Sequence, residues 1–191
     1  MTEEAKSEKP KAPEEIWATF CGDINAANTA KVISGLTTVA AQGTKRIHIL
    51  FHSWGGFVGD GVFLYNSLNK LGIEVILYNA GQVASAATLV FLGAHHRKTT
   101  ANAIFMIHKG TNNPDTSGAG RLKALFANLS MEDARIESIL RAHLTLPEEL
   151  WTQFNHHDVF LSGADAVKYG MAEEIGEFSP PVGVKVLNAL G

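Results

Sequence analysis

Cysteine is almost absent from this sequence, which has one, Cys21, among 191 residues. A single cysteine excludes an intrachain disulfide framework and a cysteine-rich zinc site, and it favours a reducing compartment. Long apolar runs are also missing, because the longest, such as 75–78 and 86–92, are far shorter than the roughly 20 residues that span a bilayer. We therefore expect a soluble, cytoplasmic protein that does not act in a membrane.

An excess of basic charge is missing as well. The chain has 16 lysine and arginine residues against 19 aspartate and glutamate residues, which gives a net charge of -3. Nucleic-acid-binding proteins need a basic surface to neutralise phosphates, so we do not expect nucleic acid as a partner. No glycine-rich phosphate loop ending in Lys-Ser or Lys-Thr occurs, so any use of ATP must come from a partner, and we expect no cofactor.

The two ends of the chain differ in composition from its centre. Residues 1–15 are rich in lysine, glutamate and proline and lack the apolar stretch of a secretory signal, so we expect a disordered charged tail. Pro180 and Pro181 should stop regular structure, which predicts a C-terminal arm over 177–191. With 46% apolar residues in the chain, the remaining segment 16–176 can bury one core and form a single domain.

Segments of β-favouring and helical periodicity alternate through this domain. Short β-favouring runs predict strands at 16–20, 47–51, 73–78, 97–100, 104–107 and 171–175. Apolar residues at three- and four-residue spacing predict helices at 26–41, 58–71, 84–92, 121–144, 147–154 and 162–169. The alternation is typical of an α/β fold, and the Asn-, Pro-, Ser- and Gly-rich stretch 112–120 is predicted to be a loop.

Three polar side chains lie at the edges of apolar segments, namely Ser85, His108 and Asp158. A serine hydroxyl is a poor nucleophile at neutral pH, so it needs a base within hydrogen-bond reach and a group that orients the base. The tetrahedral intermediate also needs backbone N–H donors, which the glycine turn 55–56 and the helix start after Ser85 are suited to supply. These residues are the components of a serine hydrolase.

Each of these residues also has an ordinary structural explanation. Ser85 could cap a helix, His108 could be a satisfied histidine beside a strand, and Asp158 could cap a turn. The pair Gly55-Gly56 could be no more than a tight turn. Their order and spacing along one chain nevertheless favour catalysis over four unrelated structural uses.

Four segments, in this order, resemble the proteolytic subunit of ATP-dependent Clp proteases. They are Ser53-Trp54-Gly55-Gly56, Gly81-x-x-Ala84-Ser85, Met106-Ile107-His108, and Asp158-x-Phe160-Leu161-Ser162-x-Ala164-x-Ala166-Val167-x-Tyr169-Gly170. Trp54 stands where that family usually has proline. The resemblance covers 16–176 and implies a ClpP/crotonase-like fold of stacked β-β-α units, with a protruding helical handle region at 112–157.

The resemblance also implies a role for each site residue. Ser85 would be the nucleophile, His108 the general base and acid, and Asp158 the residue that orients the imidazole. The two oxyanion-hole amides would be those of Gly56 and Ala86. An extended peptide substrate would lie between two segments, which here contain Phe57, Val58, Gly110, Thr111 and Asn112.

Partners follow from the same resemblance. Members of the family form heptameric rings, usually stacked in pairs by the long helix, around a chamber that encloses the active sites. The resemblance therefore implies a homo-oligomeric, ClpP-like serine endopeptidase that cleaves peptides or unfolded proteins. Whether a Clp-type ATPase delivers them is left open, because the N-terminal segment is too short and too polar to match the family's axial hairpin and first helix.

Several alternatives stay open at this point. A crotonase-type acyl-CoA enzyme has the same fold but does not need the Ser-His-Asp set, and a non-catalytic ring or scaffold protein would keep only the fold. The pairs His95-His96 and His156-His157 raise the question of a metal site, although no His-Glu-x-x-His motif occurs and we expect no metal. Cys21 is a weak candidate nucleophile, because no base is near it in sequence.

Overall fold

Residues 12–111 and 118–190 are described by the computed structural model of this protein, and this part of the chain contains nine strands and six helices. The strands are β1 (Glu15–Cys21), β2 (Arg46–His52), β3 (Glu74–Asn79), β4 (Gln82–Ala84), β5 (His96–Thr99), β6 (Ile104–Ile107), β7 (Val159–Ser162), β8 (Glu174–Ile175) and β9 (Val186–Asn188). The helices are α1 (Ala26–Ala41), α2 (Val58–Leu68), α3 (Ala86–Leu92), α4 (Ala119–His143), α5 (Glu148–Phe154) and α6 (Gly163–Tyr169).

The larger sheet has six parallel strands in the order β8-β5-β3-β2-β1-β9. Its central strands are nearly continuous apolar runs, and in β3 every residue after Glu74 is buried. Such runs are expected of parallel strands that are covered on both faces. Strand connections through α1 and α2 account for the parallel pairing, since a parallel crossover requires a helix-length connection.

The core lies between this sheet and the first three helices. Helix α3 is buried along its whole length, and Phe91 packs against Phe51 and Phe105. Helix α1 begins at a cap in which Asn25 accepts a hydrogen bond from the Asn28 N–H, and it buries Val32 and Leu36. Burial of each such large side chain stabilises the fold by about 1.5–3 kcal/mol.

The smaller sheet, in the order β4-β6-β7, positions the candidate site. Strands β4 and β6 are parallel, with Ala84 opposite Met106, so Ser85 and His108 each follow the end of a strand at the same edge. Strand β7 is antiparallel to β6, with Ile107 opposite Val159, so the residue that precedes β7, Asp158, lies at that edge too. Three residues distant in sequence thereby converge.

Helix α4 protrudes from this body. It has 25 residues, of which only Ile136 and Leu140, both in its second half, are buried. Its first half carries exposed apolar side chains, including Phe126 and Met131. A helix of this kind, attached at one end and apolar on a free surface, is expected to contact another molecule.

The α/β fold class predicted from the sequence is confirmed, whereas several element boundaries are not. Strands β4, β7 and β9 were not predicted, the helix expected from 84 starts at Ala86, and the strand expected at 171–175 is reduced to Glu174–Ile175. Strand β9 lies in the segment expected to lack regular structure, because pairing with β1 supplies hydrogen bonds that its own sequence does not reveal. Residues 1–11 of the tail expected at 1–15 and most of the loop expected at 112–120 lie outside the described residues, and Glu15 is the first residue of β1.

A buried histidine in the large sheet makes the fold sensitive to acid. The His48 ring stacks on Trp17 with centroids 4.0 Å apart, and its Nδ1 is 2.8 Å from the Tyr78 hydroxyl. Burial lowers the pKa of His48 below its usual value, and burial likewise lowers the pKa of His143. The unfolded chain therefore binds protons at a higher pH than the folded one, and stability falls as the pH drops below about 6.5.

We expect the thermal midpoint to be lower at pH 5.5 than at pH 7.5, and His48→Gln to reduce that difference. The pKa of Glu74 is lowered by its hydrogen bond with Arg46, so its own stabilising effect is lost only below pH 4.5 and does not enter this window. His156→Gln, at an exposed position, is the matched control. An identical pH difference in His48→Gln and the unmodified chain would contradict the assignment to His48.

Candidate active site

Ser85 occupies an unusual backbone conformation at the junction of β4 and α3. Its φ is 56° and its ψ is -131°, and among the described residues it is the one non-glycine residue with positive φ. The Ser85 N–H donates to the Met106 carbonyl at 2.8 Å, and the Ser85 carbonyl accepts from the Thr88 side chain at 2.7 Å. Strained residues of this kind persist when their surroundings hold them, and they cluster at catalytic positions.

His108 lies within hydrogen-bond reach of this serine. Its Nε2 is 2.7 Å from the Ser85 Oγ, which is within the range of a hydrogen bond. Asp158 lies on the other side of the ring, where its Oδ1 is 4.0 Å from Nδ1. That separation exceeds a hydrogen bond, and catalytic contacts of this kind often shorten when substrate binds.

The glycine turn lies directly beside Ser85. Gly55 has a φ of +104° and Gly56 a φ of +148°, conformations that other residues rarely adopt. A Cβ on Gly55 would lie 2.6 Å from the Ser85 Cβ, and a Cβ on Gly56 would collide with the Ile24 carbonyl oxygen. Hydrogen bonds from the Ile24 N–H to the Gly55 carbonyl and from the Phe57 N–H to the Ile24 carbonyl, both 2.8 Å, fix this turn against the chain after β1.

Two backbone N–H groups are available to an oxyanion. Within the described part of the chain, neither Gly56 nor Ala86 donates its N–H to another group. Ala86 is the first residue of α3, where the N–H groups have no partner inside the helix. Both residues border the same cavity as Ser85. Paired donors of this kind are what a tetrahedral intermediate requires.

A small cavity of about 70 Å³ connects these groups. Its apolar walls are Val58, Leu89, Ile107, Ile136 and Leu140. The predicted residues at its border are Gly56, Val58, Ser85, Ala86, His108, Gly110 and Thr111. A cavity of this size next to a nucleophile has room for one side chain.

The remaining predicted site residues lie elsewhere. Asp158 is behind the His108 ring, Phe57 is 70% exposed and does not border the cavity, and Asn112 lies outside the described residues. Trp54, the residue in place of proline, is 66% exposed and also stays out of the cavity.

Helix α4 contributes cavity residues that the sequence did not identify. Ile136 and Leu140 lie within the helix predicted at 121–144 from its apolar spacing, but nothing in the sequence indicated that they would border the cavity beside Ser85. Their four-residue spacing was the available signal, and it locates a buried face without naming its neighbour.

A larger apolar cavity of about 570 Å³ lies between α1, β1 and β9, remote from these groups. Lys31 is its one ionisable lining residue, and the Lys31 ammonium donates to the Leu190 carbonyl at 2.7 Å. Its lining has one hydroxyl, that of Ser34, and no histidine or carboxylate to act as a base for it, so we assign the chemistry to the smaller cavity.

Comparison with known proteins decides the family. A family model described as Clp protease matches residues 11–179. The chain belongs to the Clp protease family. It is therefore a ClpP-like, serine-type endopeptidase. Clp proteases generally form oligomeric rings and work with Clp ATPases.

Individual relatives of this Clp-family chain have low sequence identity to it but match most of its length. It is 27% identical over 152 residues to the ATP-dependent Clp protease proteolytic subunit 2 of Chlamydia muridarum, covering 78% of this chain and 73% of the relative. It is 28% identical over 153 residues to the corresponding subunit of Chlamydia abortus, with the same coverage. Among solved structures, the ClpP1 N165D mutant from Listeria monocytogenes matches with a TM-score of 0.72 at 23% identity, over 86% of this chain and 92% of that chain, which establishes the shared fold.

The competing interpretations gain no support from these comparisons. The family model and the relatives reported above support a Clp protease and not a crotonase-type enzyme or a scaffold. His95 accepts a hydrogen bond from the Val75 N–H at 3.1 Å, and His96 contacts Glu74 and Glu173, so protein contacts account for that pair. Among the residues that the structure describes, no helix combines enough length and apolar character to cross a bilayer.

Proposed function

We propose that this Clp-family peptidase hydrolyses peptide bonds through an acyl-enzyme on Ser85, with His108 as base and acid and Asp158 as the residue that orients the ring. The observation that carries the assignment is the 2.7 Å contact between the Ser85 Oγ and the His108 Nε2 at the border of a cavity. Removal of the hydroxyl proton by a positioned imidazole is what a serine needs in order to attack a carbonyl.

The reaction follows from these positions. As the Ser85 Oγ bonds to the substrate carbonyl carbon, its proton passes to the His108 Nε2, and the Gly56 and Ala86 N–H groups stabilise the oxygen that becomes negative. The imidazolium then donates that proton to the leaving amine as the C–N bond breaks. A water molecule, deprotonated by His108, attacks the acyl-enzyme and releases Ser85. The Asp158 carboxylate orients the ring and stabilises the imidazolium that forms transiently in each step.

The substrate is proposed to be an extended peptide. It would lie between Phe57 and Val58 on one side and Gly110, Thr111 and Asn112 on the other, with an apolar side chain in the small cavity. Backbone pairing of this kind holds peptides of many sequences, so a peptide or an unfolded protein is the expected substrate.

Assembly is proposed to follow the family. We expect a homo-oligomer, a heptameric ring that pairs with a second ring through α4, in the cytoplasm, with a Clp-type ATPase as a possible partner and without nucleic acid or membrane. Support comes from the exposed apolar side chains of α4, among them Phe126 and Met131, which are 74% and 72% exposed. Water-exposed surface of this kind is stabilised by burial against a second copy.

Labelling with a fluorophosphonate tests the nucleophile directly. We expect one covalent adduct per chain, located by mass spectrometry on the peptide that contains Ser85, because fluorophosphonates react with serines activated by a base. Heat-unfolded protein should not react and serves as the control. Absence of an adduct, or an adduct at another serine, would refute the assignment and would favour a scaffold role.

A further inference from the structure

The two residues that follow His108 are each tied to helix α4. The Gly110 N–H donates to the Asp133 Oδ1 at 2.7 Å. One residue earlier, the Lys109 ammonium is 3.9 Å from the Glu137 Oε2. Asp133 and Glu137 are four residues apart and therefore lie on one face of α4. The segment 108–110 thus contacts Ser85 through its first residue and α4 through the next two.

This face of α4 is also the wall of the active-site cavity. Ile136 and Leu140 border the cavity next to Ser85, and Gly110 borders it from the other side. A Cβ on Gly110 would lie 3.0 Å from the Leu129 Cδ1 and 3.3 Å from the Asp133 Oδ1, so helix and segment are in close contact. The hydrogen bond therefore joins two walls of one cavity.

Asp133 differs from the other carboxylates of this helix. Glu132 forms an ion pair with Arg135, and Glu137 forms one with Arg141 at 2.8 Å. In the described residues, the polar contact of Asp133 is with the Gly110 N–H. Hydrogen bonds from a backbone N–H to a carboxylate are shorter and stronger than those between neutral groups, so this one holds the backbone of Gly110 in place.

We propose that Asp133 is a positioning residue for the peptidase reaction. It fixes the segment 108–111 in the arrangement that receives the substrate backbone. The inference rests on the proposed function, because it concerns the same site. Strand β6 holds His108 independently, through the pairing of Met106 with Ala84 and Phe160. Loss of the Asp133 contact should therefore disturb substrate binding more than the reactivity of Ser85.

Two covalent probes separate these effects. A small alkyl fluorophosphonate reports on the Ser85–His108 pair alone, and a tripeptidyl diphenyl phosphonate with an apolar residue at the reactive end also requires the substrate-binding segments. For Asp133→Ala we expect labelling by the small probe to stay within about twofold of the unmodified chain, and labelling by the peptidyl probe to fall by about 10- to 100-fold.

Variants of matched chemistry complete the test. Asp133→Asn keeps an oxygen acceptor at the same place and should restore most of the peptidyl-probe rate, whereas Glu132→Ala, one residue away, should leave both rates unchanged. The inference would be overturned if the peptidyl probe labelled Asp133→Ala as fast as the unmodified chain. It would also be overturned if Asp133→Ala lost labelling equally with both probes, or if the peptidyl probe labelled Asp133→Asn as slowly as Asp133→Ala. If the unmodified chain reacts with neither probe, the proposed function fails, and the inference fails with it.

Discussion

Ser85→Ala is expected to lower the hydrolysis of a short fluorogenic peptide with an apolar residue before the scissile bond by about 10⁴-fold or more. Among the residues that the structure describes, Ser85 has the one hydroxyl in hydrogen-bond contact with His108, so the substitution removes the group that forms the acyl-enzyme. Residual hydrolysis would come from the two oxyanion donors and from substrate binding alone. The ratio kcat/KM for purified protein measures the effect.

Asp158→Asn is the comparison variant, because it changes the proposed triad and keeps the nucleophile. The Asp158 carboxylate is 4.0 Å from the His108 Nδ1 and is not the nucleophile. The decrease in kcat/KM in Asp158→Asn should therefore be smaller than the decrease in Ser85→Ala. Circular dichroism and sedimentation should show that both variants fold and assemble like the unmodified chain. Peptidase activity that survives in Ser85→Ala at more than a hundredth of the original level would exclude Ser85 as the nucleophile.

Gly55→Ala is expected to reduce both stability and activity. An alanine at a φ of +104° carries backbone strain of about 1–3 kcal/mol. Its Cβ would also press on the Ser85 Cβ, at 2.6 Å, and on the Ala84 carbonyl oxygen, at 2.8 Å. Displacing a nucleophile by about 1 Å lowers the rate by about 100-fold, so we expect a loss of that order in kcat/KM.

Gly43→Ala is a control that introduces backbone strain without a new contact of the added Cβ. Gly43 has a similar φ of +95°, but a Cβ there meets nothing within 4 Å. We therefore expect Gly43→Ala to lower the urea midpoint through strain alone and to leave kcat/KM unchanged. If Gly55→Ala is no less active than Gly43→Ala, the contact between the glycine turn and Ser85 has no functional importance.

The sequence predicted the central helices and strands better than the small sheet. Strands β2 and β3 and helix α1 have clear periodicity and appear within one or two residues of their expected bounds. Strand β4 has three residues, too few to show a period. Strand β7 carried a usable signal, since Val159 and Leu161 are buried and Phe160 is exposed, an alternation that indicates a half-buried strand.

The residues of the candidate site likewise divide into those that the sequence predicted and those that it did not. Ser85, His108 and the glycine turn could be proposed from residue type and order, because catalysis by serine needs those groups in any fold. Ile136 and Leu140, which border the cavity beside Ser85, and Asp133, which contacts Gly110, could not be predicted, because these contacts depend on how α4 packs. A helical period identifies a buried face but contains no information about the surface that the face will meet.

The sequence by itself determined the class of chemistry and the alternation of strands and helices, since both depend on local residue type and spacing. Only the tertiary structure decided that β4, β6 and β7 end at a common edge, that Asp158 lies 4.0 Å from His108, and that α4 closes the cavity. The physical reason is that these arrangements are long-range contacts. Their free energy arises from burial and pairing between segments far apart in the chain, and no local pattern records which segments will meet.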